Sequence, residues 1–147
     1  MINGFFDEFR FLSNFWYAEI TMGGHMYPTV EHAYQAAKFS DPDERKLIRE
    51  ATTPGKAKRV SWSMVPDPDW DNGRIWVMRD LVLQKFARHL DIREMLVLTH
   101  PHELEETNTW GDHFWGRCEV HGEVLGENQL GKILMKVRSQ FLLNEER

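Results

Sequence analysis

The chain is nearly without cysteine: Cys118 stands alone among 147 residues, so no internal disulfide can form. A reducing, cytoplasmic compartment is the expectation. Long apolar runs are missing too. None approaches the roughly eighteen residues of a membrane-spanning helix, and no signal-peptide pattern opens the chain, so no membrane association is expected. Positive charge is scarce, with 18 Lys and Arg against 23 Asp and Glu and a net charge of −5. That balance argues against sequence-independent wrapping of nucleic acid, but a local basic cluster can still hold a phosphate-bearing ligand. Repeats, low-complexity segments and linkers are also lacking. With 41% hydrophobic and 28% charged residues the chain reads as globular, and its length suits one domain over residues 1–147. Aromatic residues are plentiful: six Trp and nine Phe. Several stand beside polar residues and glycine, where stacking on a flat ligand is as natural as a place in the core.

Pattern and punctuation predict an α+β, predominantly α-helical fold with a small N-terminal antiparallel sheet. Short strands are expected over 4–6 and 18–22, with Gly23-Gly24 turning the chain into a partner at 25–27. A loop covers 11–15. Helices are expected over 29–39, 42–50 and 54–62, the last two opened by Pro42 after Asp41 and by Pro54. A long helix starts at Asp67-Pro68-Asp69 and runs to about His89, with Ile75, Met78, Val82 and Phe86 as its core side. Another covers 91–98, residues 101–104 form a turn, and 107–127 form a Gly- and Trp-rich loop with room for a strand turn. The last helix is expected over 127–143. Lys136, the Glu145-Glu146 tail and Arg147 read as solvated charge.

The segment 29–39 is the most informative. At about 100° per residue, Glu31, Tyr34, Gln35 and Lys38 fall on one stripe, opposite Ala33, Ala36 and Ala37. An ordinary surface helix buries Leu, Ile or Val and shows its charges to water. Here an acid, a phenol, an amide and an amine share a face while the other is nearly bald, which suits a helix lining a site. A plain reading fits as well, with Thr29 as the N-cap and Glu31 favoured by the helix dipole. The segment alone does not choose between them.

Two further segments carry candidates. In the last helix Leu130, Ile133, Leu134, Val137 and Phe141 make an apolar face, while Asn128, Gly131, Met135 and Arg138 lie on another side. A glycine at Gly131 costs about 1 kcal/mol relative to alanine, so something passes close there, either a ligand or a crossing element. In the loop 107–116, Asp112 stands among Trp110, Gly111, Trp115 and Gly116. It suits a carboxylate at a pocket wall, or an Asx-turn.

Taken in order, these pieces resemble the NADAR family of YbiA-like N-glycosidases nearly end to end. The resemblance rests on Phe11-Leu12-Ser13-Asn14-Phe15, on Tyr27-Pro28 followed by the segment from Thr29 to Lys38, and on Ala57-Lys58-Arg59. It continues through Asp69-Trp70, Val77-Met78, Lys85-Phe86, residues 96–99 and Asp112-His113-Phe114-Trp115-Gly116, and closes with the run from Gly126 to Arg138. The resemblance implies cleavage of an N-glycosidic bond on ribose, either in phosphoribosylamino-pyrimidine intermediates of riboflavin synthesis or in ADP-ribosylated guanine. By motif it implies Glu31, Lys38, Trp70 and Asp112 as catalytic residues. It implies Asn14, Phe15, Tyr34, Gln35, Lys58, Arg59, Trp115, Gly116, Asn128, Gly131 and Arg138 as substrate-binding ones. No cofactor, metal or obligate protein partner is implied; the partner is a substrate containing ribose phosphate or ADP-ribose, free or on DNA or RNA. One region departs from the pattern. Many relatives carry Gly-Arg after the Ala-Lys segment and an Arg shortly before Asp-Trp, where this chain has Ser61-Trp62 and Pro66-Asp67-Pro68. Lys56, Lys58 and Arg59 are the nearest replacements for those charges.

Breaking a ribose C1′–N bond builds positive charge on the sugar and negative charge on the departing base. A carboxylate near C1′ stabilises the first and a proton donor relieves the second. Glu31 and Asp112 suit such a divided pair, as in glycoside hydrolysis, with Trp70 stacking on the ligand. Lys38 offers a second route, its neutral amine attacking C1′ of an opened ribose to form a Schiff base. A non-catalytic module that binds ADP-ribose or NAD is the alternative, weakened by the carboxylate pair, which binding alone does not need. A metal hydrolase is a poorer fit: His100, His102 and Glu103 lack the helical His-Glu-x-x-His spacing, and Pro101 separates the two histidines.

Overall fold

A computed structural model describes residues 1–145 of the chain. In chain order it contains β1 (Ile2–Asn3), a 3-10 helix (Asp7–Leu12), β2 (Ile20–Met22), β3 (His25–Tyr27), α1 (Val30–Ala37), α2 (Pro42–Arg49), α3 (Pro54–Trp62) and α4 (Trp70–Arg88). Then come α5 (Leu90–Leu98), β4 (Leu104–Glu105), β5 (Cys118–Val120), β6 (Glu123–Leu125) and α6 (Gln129–Glu145). The fold is α+β with helix dominant. No helix among the described residues is long and apolar enough to cross a membrane. Glu146 and Arg147, read above as solvated charge, lie outside the described residues; Lys136 and Glu145 are exposed.

The chain forms two compact units, Asn14–Arg88 and Met1–Ser13 together with the chain from His89 onward. In the first, β2 and β3 form the expected antiparallel hairpin, with Ile20 opposite Tyr27 and Met22 opposite His25. Gly23 and Gly24 take φ of +59° and +79°, the left-handed pair that a two-residue hairpin turn demands. α1 packs against β2, β3, α2, α3 and α4. Thr29 caps it, its hydroxyl oxygen accepting from the His32 backbone N–H at 3.0 Å. Asp41 and Thr53 cap α2 and α3 in the same way, each ahead of a proline at the first helical position.

α1 is buried nearly all round, from Val30 to Ala36, so its alanine side and its polar side are both interior. Ala33 and Ala36 are wholly buried and let neighbouring elements come close. α4 differs from expectation at its start. It buries Met78, Leu81, Val82, Lys85 and Phe86, but Ile75 is 38% exposed, and no residue of the helix before Met78 is fully buried.

In the second unit β1 pairs in parallel with β4, Ile2 opposite Leu104, and α6 packs on β4 and α5. The strand expected at 4–6 falls instead at Ile2–Asn3. Gly4 turns away at φ +80°, with the Phe6 ring over the place where a side chain would stand, and the 3-10 helix follows. Residues 107–127, expected as a loop with room for a strand turn, include the β5–β6 hairpin, turned by His121 and Gly122 at φ +51° and +82°. The apolar face of α6 is as expected: Leu130, Ile133, Leu134, Val137 and Phe141 are buried, each contributing about 1.5–3 kcal/mol by leaving water. His100 and His102 are exposed.

Candidate active site

Most of the expected site residues of Asn14–Arg88 gather around α1. The Gln35 side-chain amide donates to Glu31 Oε1 at 2.8 Å, and the Ser61 hydroxyl of α3 donates to Gln35 Oε1 at 2.7 Å. Glu31, Gln35 and Ser61 are 7%, 3% and 3% exposed, so the chain of bonds is internal. The backbone N–H of Glu31 donates to the Asn14 carbonyl at 3.1 Å, while the Asn14 side-chain amide reaches Met78 Sδ at 3.4 Å. Phe15, next in the chain, is exposed.

Tyr34 links the other members. Its ring meets the Trp70 ring edge-on, with centroids 5.2 Å apart and planes at 61°, and Lys38 Nζ lies 5.7 Å from the Tyr34 centroid. Lys38 is the C-cap of α1. Burial lowers its pKa first of all; attraction to Glu31 opposes this, Lys58 and Arg74 add to the lowering, and Asp71 opposes it. The amine thus sits among charges of both signs, with its neutral form favoured relative to a lysine in water.

α3 has two working sides. Pro54, Ala57 and Ser61 face inward, while Arg59 and Trp62 are exposed. Lys58 Nζ lies 5.9 Å from the Trp62 ring centroid, a cation–π distance. Ser61 therefore faces into the site and Trp62 out of it. Sequence reasoning missed Ser61 as a site residue, although its spacing from Pro54 and Ala57 puts it on the inward face. It also missed Arg74, one helical turn beyond Trp70. Lys85 is 1% exposed, its amine 5.0 Å from the Phe86 ring centroid, and burial pushes its pKa down to about 7.

The second unit holds the remaining candidates. Asp112 Oδ1 accepts from the backbone N–H groups of Phe114 and Trp115 at 3.0 and 2.9 Å, an Asx-type cap. Asn108 clasps Asp112 from both sides, accepting from its N–H at 3.0 Å and donating to its carbonyl at 2.9 Å. Trp115 meets Phe114 edge-on at 4.7 Å. The carbonyls of Phe114, Trp115 and Gly116 accept from Gln129, Leu130 and Asn128, which satisfies backbone donors entering α6. At Gly116 a Cβ would stand 2.2 Å from the Glu106 carbonyl oxygen.

Asn128 lies just outside α6 at φ +49°. Its side chain accepts from the Glu106 N–H and donates to the Leu104 carbonyl, both at 3.0 Å. The element passing close to Gly131 is β4, since a Cβ there would stand 2.2 Å from the Leu104 carbonyl oxygen. Arg138 is buried and donates through Nη1 to Thr99 Oγ1 at 3.0 Å and to the His102 carbonyl at 2.7 Å. Burial lowers its pKa.

Comparison with known proteins shows the family and the fold. Residues 4–142 match the NADAR domain model. N-glycosidase YbiA of Escherichia coli is 35% identical over 141 residues, 95% of this chain and 86% of that protein. An N-glycosidase of Nostoc punctiforme is 41% identical over 120 residues, 78% of this chain and 74% of its own length. A riboflavin biosynthesis protein of Vibrio vulnificus is 36% identical over 92% of this chain, which spans 36% of that longer protein. The solution structure of E. coli YbiA superposes with a TM-score of 0.84 at 33% identity, covering 99% of this chain and 87% of that one. The chain belongs to the NADAR family, in which these named relatives include N-glycosidases, hydrolases of N-glycosyl bonds.

Proposed function

We propose that this chain hydrolyses a ribose C1′–N bond, either in ADP-ribosylated guanine, as nucleotide or within nucleic acid, or in a phosphoribosylamino-pyrimidine of riboflavin synthesis. The observation that carries the reading is the buried Glu31 carboxylate, held by Gln35 on the helix that also presents Tyr34 and ends at Lys38. Water adds across the bond, its hydroxyl going to C1′ and its proton to the base nitrogen. Glu31 stabilises the cationic sugar as the bond stretches. Trp70, braced edge-on by Tyr34, offers an aromatic surface to the base or the ribose. Lys58 and Arg59, with Arg74, supply positive charge for substrate phosphate, and Lys38 is the further catalytic candidate on its motif. Asp112 is the second carboxylate on the strength of its motif. Asn14, Phe15, Trp115 and Gly116 shape the binding surfaces, and the proposal keeps Asn128, Gly131 and Arg138 as contributors through the frame they hold. The names of the relatives support the bond type, and both substrate classes suit it.

The test incubates the protein with an ADP-ribosylated guanine oligonucleotide and, separately, with a ribosylamino-pyrimidine phosphate. Products are read by mass spectrometry beside Glu31→Gln. Release of ADP-ribose, lost in the variant, supports a base-restoring hydrolase. Cleavage of the small phosphate alone supports metabolite clearance. Binding of either without cleavage supports the recognition module, and a wild-type rate in Glu31→Gln ends the assignment of Glu31.

A further inference from the structure

We propose that Ser61 is a positioning residue for Glu31, acting through the side-chain amide of Gln35; this rests on the reading of Glu31 as the catalytic carboxylate. An amide oxygen only accepts hydrogen bonds, so the Ser61 hydroxyl must be the donor in its 2.7 Å contact with Gln35 Oε1. The Glu31 carboxylate only accepts and so takes the Nε2 end of the amide, and the Ser61 donation holds the opposite end. With Oε1 turned toward Ser61, the Nε2 donor is left facing Glu31 Oε1 at 2.8 Å. Turned over, the amide would set its oxygen against a carboxylate oxygen and its donor against the Ser61 oxygen. The carboxylate would then lose the Gln35 donor in a buried place, where a hydrogen bond to a charged group counts for most.

Ser61 has one proton and two acceptors within reach. Its oxygen also lies 2.6 Å from the Lys58 carbonyl, a back-bond of the kind helical serines commonly make. That contact alone would explain a buried serine. It does not account for the second contact, 2.7 Å from an amide on a different helix whose other end meets the carboxylate. Alanine at position 61 would leave Gln35 Oε1 without this donor and the amide held at its Glu31 end alone. Ser61 thus reaches the Glu31 carboxylate through one intermediate.

The experiment compares Ser61→Ala, Ser61→Thr, Gln35→Met and the Ser61→Ala/Gln35→Met double variant with wild type. Turnover is measured on whichever of the two substrates above the wild type cleaves, with Glu31→Gln in parallel and thermal melts confirming folding. Ser61→Ala is expected to lower kcat roughly tenfold with little change in KM, because the donor orients the carboxylate and does not bind substrate. Ser61→Thr, which keeps the hydroxyl, restores most of the rate. In the Gln35→Met background the serine change has no further effect, since its intermediary is gone. The proposal is overturned if Ser61→Ala keeps the wild-type kcat while Glu31→Gln loses it, or if the two losses multiply. A readout independent of catalysis separates this from failure of the Glu31 reading. The Gln35 side-chain amide resonances of the folded protein should shift and exchange faster in Ser61→Ala, and unmoved resonances overturn the proposal whatever Glu31 does.

Discussion

Thr29 and His32 satisfy each other at the start of α1. The Thr29 oxygen accepts from the His32 backbone N–H at 3.0 Å, and its hydroxyl lies 2.8 Å from His32 Nδ1, while Nε2 lies 2.9 Å from the Ala51 carbonyl. A carbonyl can only accept, so Nε2 carries the proton and Nδ1 accepts from Thr29. One neutral tautomer fulfils every contact. Burial lowers the His32 pKa, opposed by the Ala51 bond, in keeping with that state. The helix that presents Glu31 is therefore anchored one residue away by an uncharged imidazole. Thr29→Ala removes the cap and leaves Nδ1 without its donor, and should destabilise the protein by about 1–2 kcal/mol. Urea unfolding at pH 7.5 measures it; an unchanged midpoint would remove Thr29 as the anchor.

Lys38 is the test of the covalent route. Its lowered pKa raises the fraction of neutral amine near neutral pH, which a Schiff base with an opened ribose requires. Borohydride added during turnover should reduce that adduct and leave added mass on the peptide that contains Lys38. Turnover without any adduct would leave the route through Glu31 and water alone.

Local pattern carried much of the fold. Proline after Asp41 and after Thr53 marked the starts of α2 and α3, and α3 ends at Trp62 as expected. The paired glycines at 23 and 24 specified the hairpin. What escaped was long-range. β1 exists because Ile2 meets Leu104, about a hundred residues on, and no local period reports that pairing. Gly4 then ended the strand where alternation suggested it began. At the site, the polar stripe of α1 was legible, but the burial of the whole helix was not, because alanines give no apolar signal strong enough to mark an interior face. Lys85 escaped for the opposite reason. It follows Met78 and Leu81 at helical spacing, but its charge kept it out of any core expected from pattern alone.

Gly131 sets two effects against each other. Alanine in a helix interior is favoured over glycine by about 1 kcal/mol. Here the new methyl would stand 2.2 Å from the Leu104 carbonyl oxygen, and that atom is backbone paired into the Asn128 contact rather than the end of a flexible side chain. Overpacking of this kind costs about 1–3 kcal/mol, and with backbone unable to yield cheaply the clash wins. Gly131→Ala should lower the melting temperature, and a rise would mean that β4 can move away.

Lys85 gives the protein a pH dependence of known sign. The unfolded chain keeps this proton up to about pH 10.5, whereas the folded protein releases it near 7. Between those values the unfolded state binds more protons, so stability rises with pH, at about 1.4 kcal/mol per pH unit where the difference is a full proton. Below pH 7 both states hold the proton and the contribution no longer changes. Lys85→Met keeps the length and packing of the side chain and removes the titration. Unfolding free energies measured from pH 7 to 10 should climb more steeply in wild type than in Lys85→Met. Parallel curves would mean that the folded protein holds the Lys85 proton as tightly as the unfolded chain does.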